Sequence, residues 1–325
     1  MDSNASAIGS APSPWTVRSI RRRLVSGDEV AHIVTLVFAS FVILIASLLI
    51  NELWVNCVLS RHAFGWHFWF SSEWDPVFEH FGALPFIYGT IVTSAIALVI
   101  ALPLGLAAAT FLAELAPRAL SDTVSFLIDL LAAIPSVIYG LLGIFIVVPL
   151  MRTMIGPALK SVFGFLPIFS GPNYGVGFLT AGIVLAIMVV PYIISISREV
   201  LLTVPRDQRE AALALGATRW ESTWKVVIPW ARTGIMGSVF LALARALGET
   251  MAVTMVIGND PKIAASLFAP GYTIAAVIAN EFSEAFGNVY RSSLIELALV
   301  LFLITFILNG FARLLIIATG GGSPS

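Results

Sequence analysis

The chain has 325 residues, of which 58% are hydrophobic and 11% charged, with a formal net charge of −1. Soluble domains carry about 25% charged residues, so this composition excludes an ordinary soluble enzyme and identifies an integral membrane protein. The near-zero net charge says nothing about partners, since the distribution of Lys and Arg across the membrane matters more than their sum. The single cysteine, Cys57, excludes an internal disulfide.

Residues 1–25 are rich in Ser, Ala and Pro without apolar periodicity, which predicts a disordered cytoplasmic tail. Arg18, Arg21, Arg22 and Arg23 precede an apolar run from about Val30 to Val55 that is too long for a signal-peptide core. It predicts a first transmembrane helix, opened by the capping-box pair Ser26 and Glu29 and held with its N-terminus in the cytoplasm by the basic cluster. Residues 56–83 form an outer segment in which Phe64, Trp66, Phe68, Trp69, Phe70 and Trp74 alternate with Glu73, Asp75 and Glu79. Such aromatic density suits the bilayer interface or a contact surface for an external partner. His62, His67 and His80 lack the close spacing of a zinc site and read as solvated loop residues, so no metal is expected.

A second span is predicted from about Leu84 to Leu112, with Ala97, Ala101, Gly105 and Ala109 at the interval that lets helix backbones approach closely. A third is predicted from about Thr123 to Leu150, bent or unwound where Pro135, Gly140 and Gly143 interrupt it. Asp129 within it needs a partner or a watery face. Residues 151–174 read as an outer connection, and a fourth span runs from about Gly175 to Leu202.

Residues 203–229 interrupt the apolar pattern with a polar module. Pro205 and Asp207 suit a helix N-terminus, Gly216 suits its left-handed end, and Thr218 with Glu221 has capping-box spacing for the next helix. The fifth span is predicted from about Thr233 to Ile257, and the sixth from about Leu294 to Ala318, before a tail at 319–325. The transmembrane domain is therefore 26–318. Six spans with both termini inside place Arg18, Arg21, Arg22, Arg23, Arg118, Arg198, Arg206, Arg209, Arg219, Lys225, Arg232 and Arg313 in the cytoplasm. Arg61, Arg152, Lys160, Lys262 and Arg291 fall outside.

Arg245 and Glu249 lie one helical turn apart near the middle of the predicted fifth span, so they share a face and can neutralise each other. A central charge facing lipid costs about 3 kcal/mol or more, so both must face protein or water. No Gly-x-x-x-x-Gly-Lys-Ser/Thr phosphate loop, His-Glu-x-x-His or Gly-x-Ser-x-Gly motif occurs, so the chain is not expected to be an enzyme or to hydrolyse ATP.

The run Glu210-Ala211-Ala212, with Gly216 four residues on and Val226-x-Ile228-Pro229 closing it, resembles the EAA loop of ATP-binding-cassette importer permeases. The resemblance implies an all-α integral membrane protein with the type I importer permease fold. It also implies that Glu210, Ala211, Ala212 and Gly216 couple to a separate cytoplasmic ATPase, which would hold the ATP and Mg. Ile134-Pro-Ser-Val-Ile-Tyr-Gly-Leu and the run from Arg245 to Asn259 resemble the PstC-type subunits of phosphate importers. That resemblance implies a prokaryotic plasma-membrane subunit with Arg245 and Glu249 on the phosphate pathway. Its implied partners are a PstA-like permease, PstB-like ATPases and an external PstS-like phosphate-binding protein, with membrane lipid and no nucleic acid. Three alternatives stay open: molybdate or sulfate as substrate, an ion-coupled transporter or channel, and a purely structural Arg245–Glu249 ion pair.

Overall fold

The computed structural model describes residues 28–319. The predicted tail at 1–25, with Arg18, Arg21, Arg22 and Arg23, lies outside the described residues, as do Ser26 of the first capping box and the chain beyond 319. Among the described residues, six helices are long and apolar enough to cross a membrane: Ala31–Asn56, Leu84–Leu115, Ser136–Phe163, Phe178–Leu202, Arg219–Leu247 and Asn288–Phe311. The chain divides between Val55 and Asn56 into two compact units. The first contributes helix α1 (Asp28–Asn56), whose mean hydropathy of 2.9 across the span makes it the most apolar of the six.

The second unit begins with α2 (Val58–Phe64) and α3 (His67–Phe70), then a two-stranded hairpin of β1 (Trp74–Asp75) and β2 (His80–Phe81). Helix α4 (Leu84–Thr110) ends in a wider π turn, Phe111–Leu115, and α5 (Arg118–Ala132) follows. A third membrane-length helix is built from α6 (Ser136–Leu142), α7 (Val148–Leu150) and α8 (Gly156–Phe163), joined by π turns. Next come α9 (Phe178–Leu202), α10 (Arg206–Ala214), α11 (Arg219–Ser222), α12 (Ile228–Leu247), α13 (Met251–Ile257), α14 (Ile274–Glu281) and α15 (Asn288–Thr319).

The centre of this unit is α9. Its apolar stretch is 67% buried, against 33% or less in the unit's other spans, and it packs on α4, α5, α12 and α13. Small residues permit this. Ala97, Ala101 and Ala109 of α4 are fully buried and Gly105 is buried with them. A β-carbon at Gly105 would stand 2.6 Å from Ile193 Cγ2, and one at Gly182 would stand 2.4 Å from Ile96 Cγ2, so the two backbones meet where neither has room for a side chain. Ser197 and Ser238 share a buried hydroxyl–hydroxyl bond of 2.7 Å between α9 and α12.

Two predicted spans are displaced. The third is not 123–150: α5 ends at Ala132, the chain turns at Pro135, and the crossing helix is Ser136–Phe163, which takes in much of the predicted outer connection. Pro135 has no N–H to donate and its ring excludes a continuing helix, so the interruption is a full break. Asp129 is satisfied on α5, accepting a 2.8 Å bond from Ser195 Oγ of α9. The fifth span is not 233–257 either. It runs from Arg219 to Leu247 and stops at Gly248, and α13 is a separate short helix.

The outer aromatic segment divides into two populations. Phe68 and Phe81 are buried, and Trp74 meets Phe81 and Phe86 edge-on at 4.9 and 4.7 Å while its indole N–H donates to Glu281 Oε2. Trp66 and Phe70 remain 83% and 74% exposed. Part of the aromatic density is thus a small core of its own, joined by Tyr272, Tyr290 and Leu294.

Close approach at the α4 glycines gives a test. A β-carbon at Gly89 would stand 2.0 Å from the Tyr272 carbonyl oxygen, whereas one at Gly237 meets nothing within 4 Å. Gly89→Ala should lower stability in detergent by about 1–3 kcal/mol, an overpacking penalty. Gly237→Ala should be neutral or slightly stabilising. Equal melting temperatures for the two variants would contradict this packing.

Candidate functional site

The polar module folds as a capped pair of helices. Helix α10 ends at Gly216, whose φ of +88° is left-handed, with Ala217 N–H donating to Ala212 O at 3.1 Å and Gly216 N–H to Leu213 O at 3.0 Å. These are the two bonds of a Schellman ending, which satisfies carbonyls that the helix itself leaves open. Thr218 then opens α11 with a complete capping box: Glu221 N–H donates to Thr218 Oγ1 and Thr218 N–H to Glu221 Oε2. From Arg219 the helical path passes through a π turn at Thr223–Val227 and continues as α12, so the module is joined to a membrane span without a break.

The four residues assigned to coupling do not share one surface. Ala211, Ala212 and Gly216 line a groove of about 480 Å³ with Glu221 and Lys225. Glu210 faces a separate cavity of about 550 Å³, lined also by Glu114, Arg118, Arg198, Arg206 and Arg209. Around the tip, Leu215 is 90% exposed, and Leu213, Trp220 and Trp224 are each exposed. An apolar patch on an otherwise charged loop is a docking feature.

In the sequence Arg209 reads only as a cytoplasmic charge. In the fold its guanidinium donates to both Glu114 carboxylate oxygens, at 2.7 to 3.2 Å, and to the carbonyls of Leu201 and Val204 at 2.9 and 2.5 Å. Nearby, Arg198 donates to Ser121 Oγ and reaches Asp122 and Glu199 at 3.4 and 3.2 Å, fastening the end of α9 to α5.

The second candidate site lies at the break between α12 and α13. Glu249 is no longer helical: its Oε1 accepts the Ala252 N–H at 3.2 Å, serving the first turn of α13. Arg245, two residues before the end of α12, carries its guanidinium 5.6 Å from the centre of the Tyr192 ring, and its Nε is buried without a hydrogen-bond partner among the described residues. No ion pair joins Arg245 and Glu249 among the described residues. The expected shared face fails because the helix ends between the two residues, at Leu247. Beside it α6 packs closely on α13, where Gly140 lies against Met255 and against Ala252, the residue whose N–H Glu249 accepts. An arginine fork over an aromatic face, with a buried Nε that has no partner among the described residues, is suited to an oxyanion.

Residues 101–317 match the family model described as binding-protein-dependent transport system inner membrane component. Among similar proteins is a phosphate transport system permease protein PstC of Mesorhizobium japonicum, 48% identical, covering 91% of this chain and 93% of that one. A protein of the same name from Xylella fastidiosa is 52% identical over 78% of this chain and 79% of its own. The probable phosphate permease PstC of Methanocaldococcus jannaschii is 39% identical over 89% and 93%. Among solved structures, a chain of a bacterial alginate ABC transporter, crystallised with a periplasmic protein bound to an alginate pentasaccharide, matches with a TM-score of 0.57. It is 13% identical and covers 89% of this chain and 96% of its own. A chain of the inward-facing MetNI methionine ABC transporter matches at 0.52 with 19% identity, over 73% and 94%. At these identities the structures establish the fold.

The Schellman ending predicts a local response. Gly216→Val should cost about 1–2 kcal/mol, because a β-branched residue is strained in the left-handed region. Hydrogen exchange should accelerate at the turn amides of Ala217 and Thr218, with the α9 amides unchanged. Unaltered exchange in the turn would contradict the assigned cap.

Proposed function

The chain belongs to the phosphate-transport members of the binding-protein-dependent transport system inner membrane components, and from that premise we propose that it conducts inorganic phosphate as one permease subunit of an ATP-driven importer. It is a multi-pass membrane protein and a transport component with the fold of ABC importer permeases. The observation that carries the phosphate reading is the Arg245 guanidinium, set at a helix break with a buried Nε that has no partner among the described residues. Such a donor can replace part of the hydration an oxyanion loses in leaving water. Glu249 supports the break by binding the Ala252 N–H, and its carboxylate near the path would favour an oxyanion that still carries a proton.

ATP and Mg belong to a separate ATPase in this reading. The capped module at 203–229 docks on it through Leu213, Leu215, Trp220 and Trp224, with Ala211, Ala212 and Gly216 shaping the adjoining groove. A second, PstA-like permease completes the pathway, and a PstS-like phosphate-binding protein delivers substrate from outside. The membrane is the prokaryotic plasma membrane with both termini inside. The basic residues gathered around the module, Arg198, Arg206, Arg209, Arg219, Lys225 and Arg232, support that orientation.

Two measurements test the reading. In proteoliposomes containing the assembled complex, phosphate uptake should require ATP on the module side, and sulfate or molybdate should compete at least about tenfold less well, the loss expected when a protonated ligand's hydrogen bond is missing. Uptake driven by an ion gradient without ATP would overturn it. For orientation, cysteines replacing the exposed Ser72 and Ser283 should react with an impermeant thiol reagent on intact cells, and one replacing the exposed Ala214 only after permeabilisation. Burial pushes the Cys57 thiol above its usual range, so the native cysteine contributes little background. Labelling at Ala214→Cys in intact cells would reverse the topology.

A further inference from the structure

The connection between α9 and α10 is three residues, Thr203 to Pro205, and the connection from α10 to α11 turns on the left-handed Gly216. A β-carbon at Gly216 would meet nothing within 4 Å, so that turn is open on its outer side. Helix α10 also packs on α11 and on the Thr223–Val227 turn, but both belong to the same module, so this packing does not stop the module pivoting at Thr203–Pro205 when pushed. Arg209 removes this freedom at the first joint. Its side chain is 20% exposed and that of Glu114 10%, so the pair is shielded from solvent.

Five donations converge in this arrangement: three to the Glu114 carboxylate and one each to the carbonyls of Leu201 and Val204. Those two carbonyls belong to the end of α9 and the turn after it, where a helix leaves its acceptors open. Glu114 stands in the π turn that ends α4, closed by Ala116 N–H donating to Phe111 O at 2.8 Å. One planar fork thus ties α10 to two spans at once, and α4 has no covalent neighbour in the module. Lysine could not reproduce this, since a single ammonium cannot meet a carboxylate side-on and two carbonyls in separate directions.

We propose that Arg209 and Glu114 are a positioning pair that makes α10 and the ends of α4 and α9 one mechanical body, so that displacement of the 203–229 module moves these spans instead of folding the Thr203–Pro205 joint. The inference rests on the coupling role assigned to that module. Because α4 and α9 interlock at Gly105 and Gly182, motion delivered to their ends is carried along both helices. Without the pair, the ATPase would still bind the exposed tip at Leu213, Leu215, Trp220 and Trp224, and would still turn over. Hydrolysis would then be disconnected from transport.

The test measures phosphate uptake and ATP hydrolysis on the same assembled complexes in proteoliposomes. Arg209→Lys and Glu114→Gln should each lower uptake per ATP hydrolysed by about tenfold or more, within the roughly 5–150-fold range typical of coupling between two sites. Hydrolysis per complex should stay close to that of the parent. In a Cys57→Ser background, Glu114→Cys with Arg209→Cys should be uncoupled when reduced and should recover when the two thiols are joined by a reversible bis-thiosulfonate spacer. A purely structural role would lower uptake and hydrolysis together, leaving their ratio unchanged, and that result would overturn the inference. So would an uncoupled double variant that the spacer fails to restore. A parent complex that moves no phosphate with ATP would sink the functional reading and this inference with it, whereas a coupled parent with unchanged ratios in the variants would sink the inference alone.

Discussion

A peptide group that leaves a helix inside hydrocarbon must find its partner in protein, because no water is there to serve it. The same demand acts where the chain leaves its helices at Ala133–Pro135 and Gly248–Thr250, directly beside the spans Ser136–Phe163 and Arg219–Leu247. At the first, Ala133 N–H donates to Asp129 O and Leu130 O, and Tyr139 OH donates to Leu131 O across the break. At the second, Glu249 supplies a side-chain acceptor where the next carbonyl of a continuing helix would have been. The glutamate is used by the backbone, and the arginine one turn earlier is left without it. What reads in the sequence as a self-neutralising pair is divided into a cap and a free donor.

Both interruptions bear on α9, the most buried of the unit's spans. Its small and branched residues interlock with α4, its Ser197 meets α12, and its Tyr192 lies beneath Arg245. At its other end the carbonyls of Leu201 and Val204 receive Arg209. One helix therefore carries a contact of the anion-binding candidate and a contact of the module proposed to meet the ATPase. A rigid element between two sites is the physical requirement for transmitting a change between them, provided each site favours a different arrangement of it.

Much of this was legible locally. The capping box at Thr218 and Glu221, the left-handed Gly216 and the small-residue stripe of α4 depend on neighbours a few residues away, and each stands as its spacing indicates. The helix breaks were less legible, because apolar length marks a membrane segment without marking where its hydrogen bonding stops. Ser121, Asp122, Ser125 and Asp129 recur on α5 and were the available sign that this segment has a polar face and is not a plain span. Gly248 was the corresponding sign in the fifth. The Arg209–Glu114 contact had no local sign at all: the residues are 95 apart in sequence, and only the packing of α4 on α9 brings them together. The same holds for Trp74 and Glu281, which reveal an aromatic core where the composition alone indicated an interface.

Arg245 is not the ion-pair partner of Glu249, and the proposal drawn from this is that it meets the transported anion. Phosphate uptake per assembled complex in Arg245→Gln, set beside Arg245→Lys, tests it most directly. Arg245→Gln should assemble and lose uptake by about a hundredfold, the scale of one lost charge-assisted contact to a buried anion, with partial activity in Arg245→Lys. Near-native uptake by the assembled Arg245→Gln complex would contradict it.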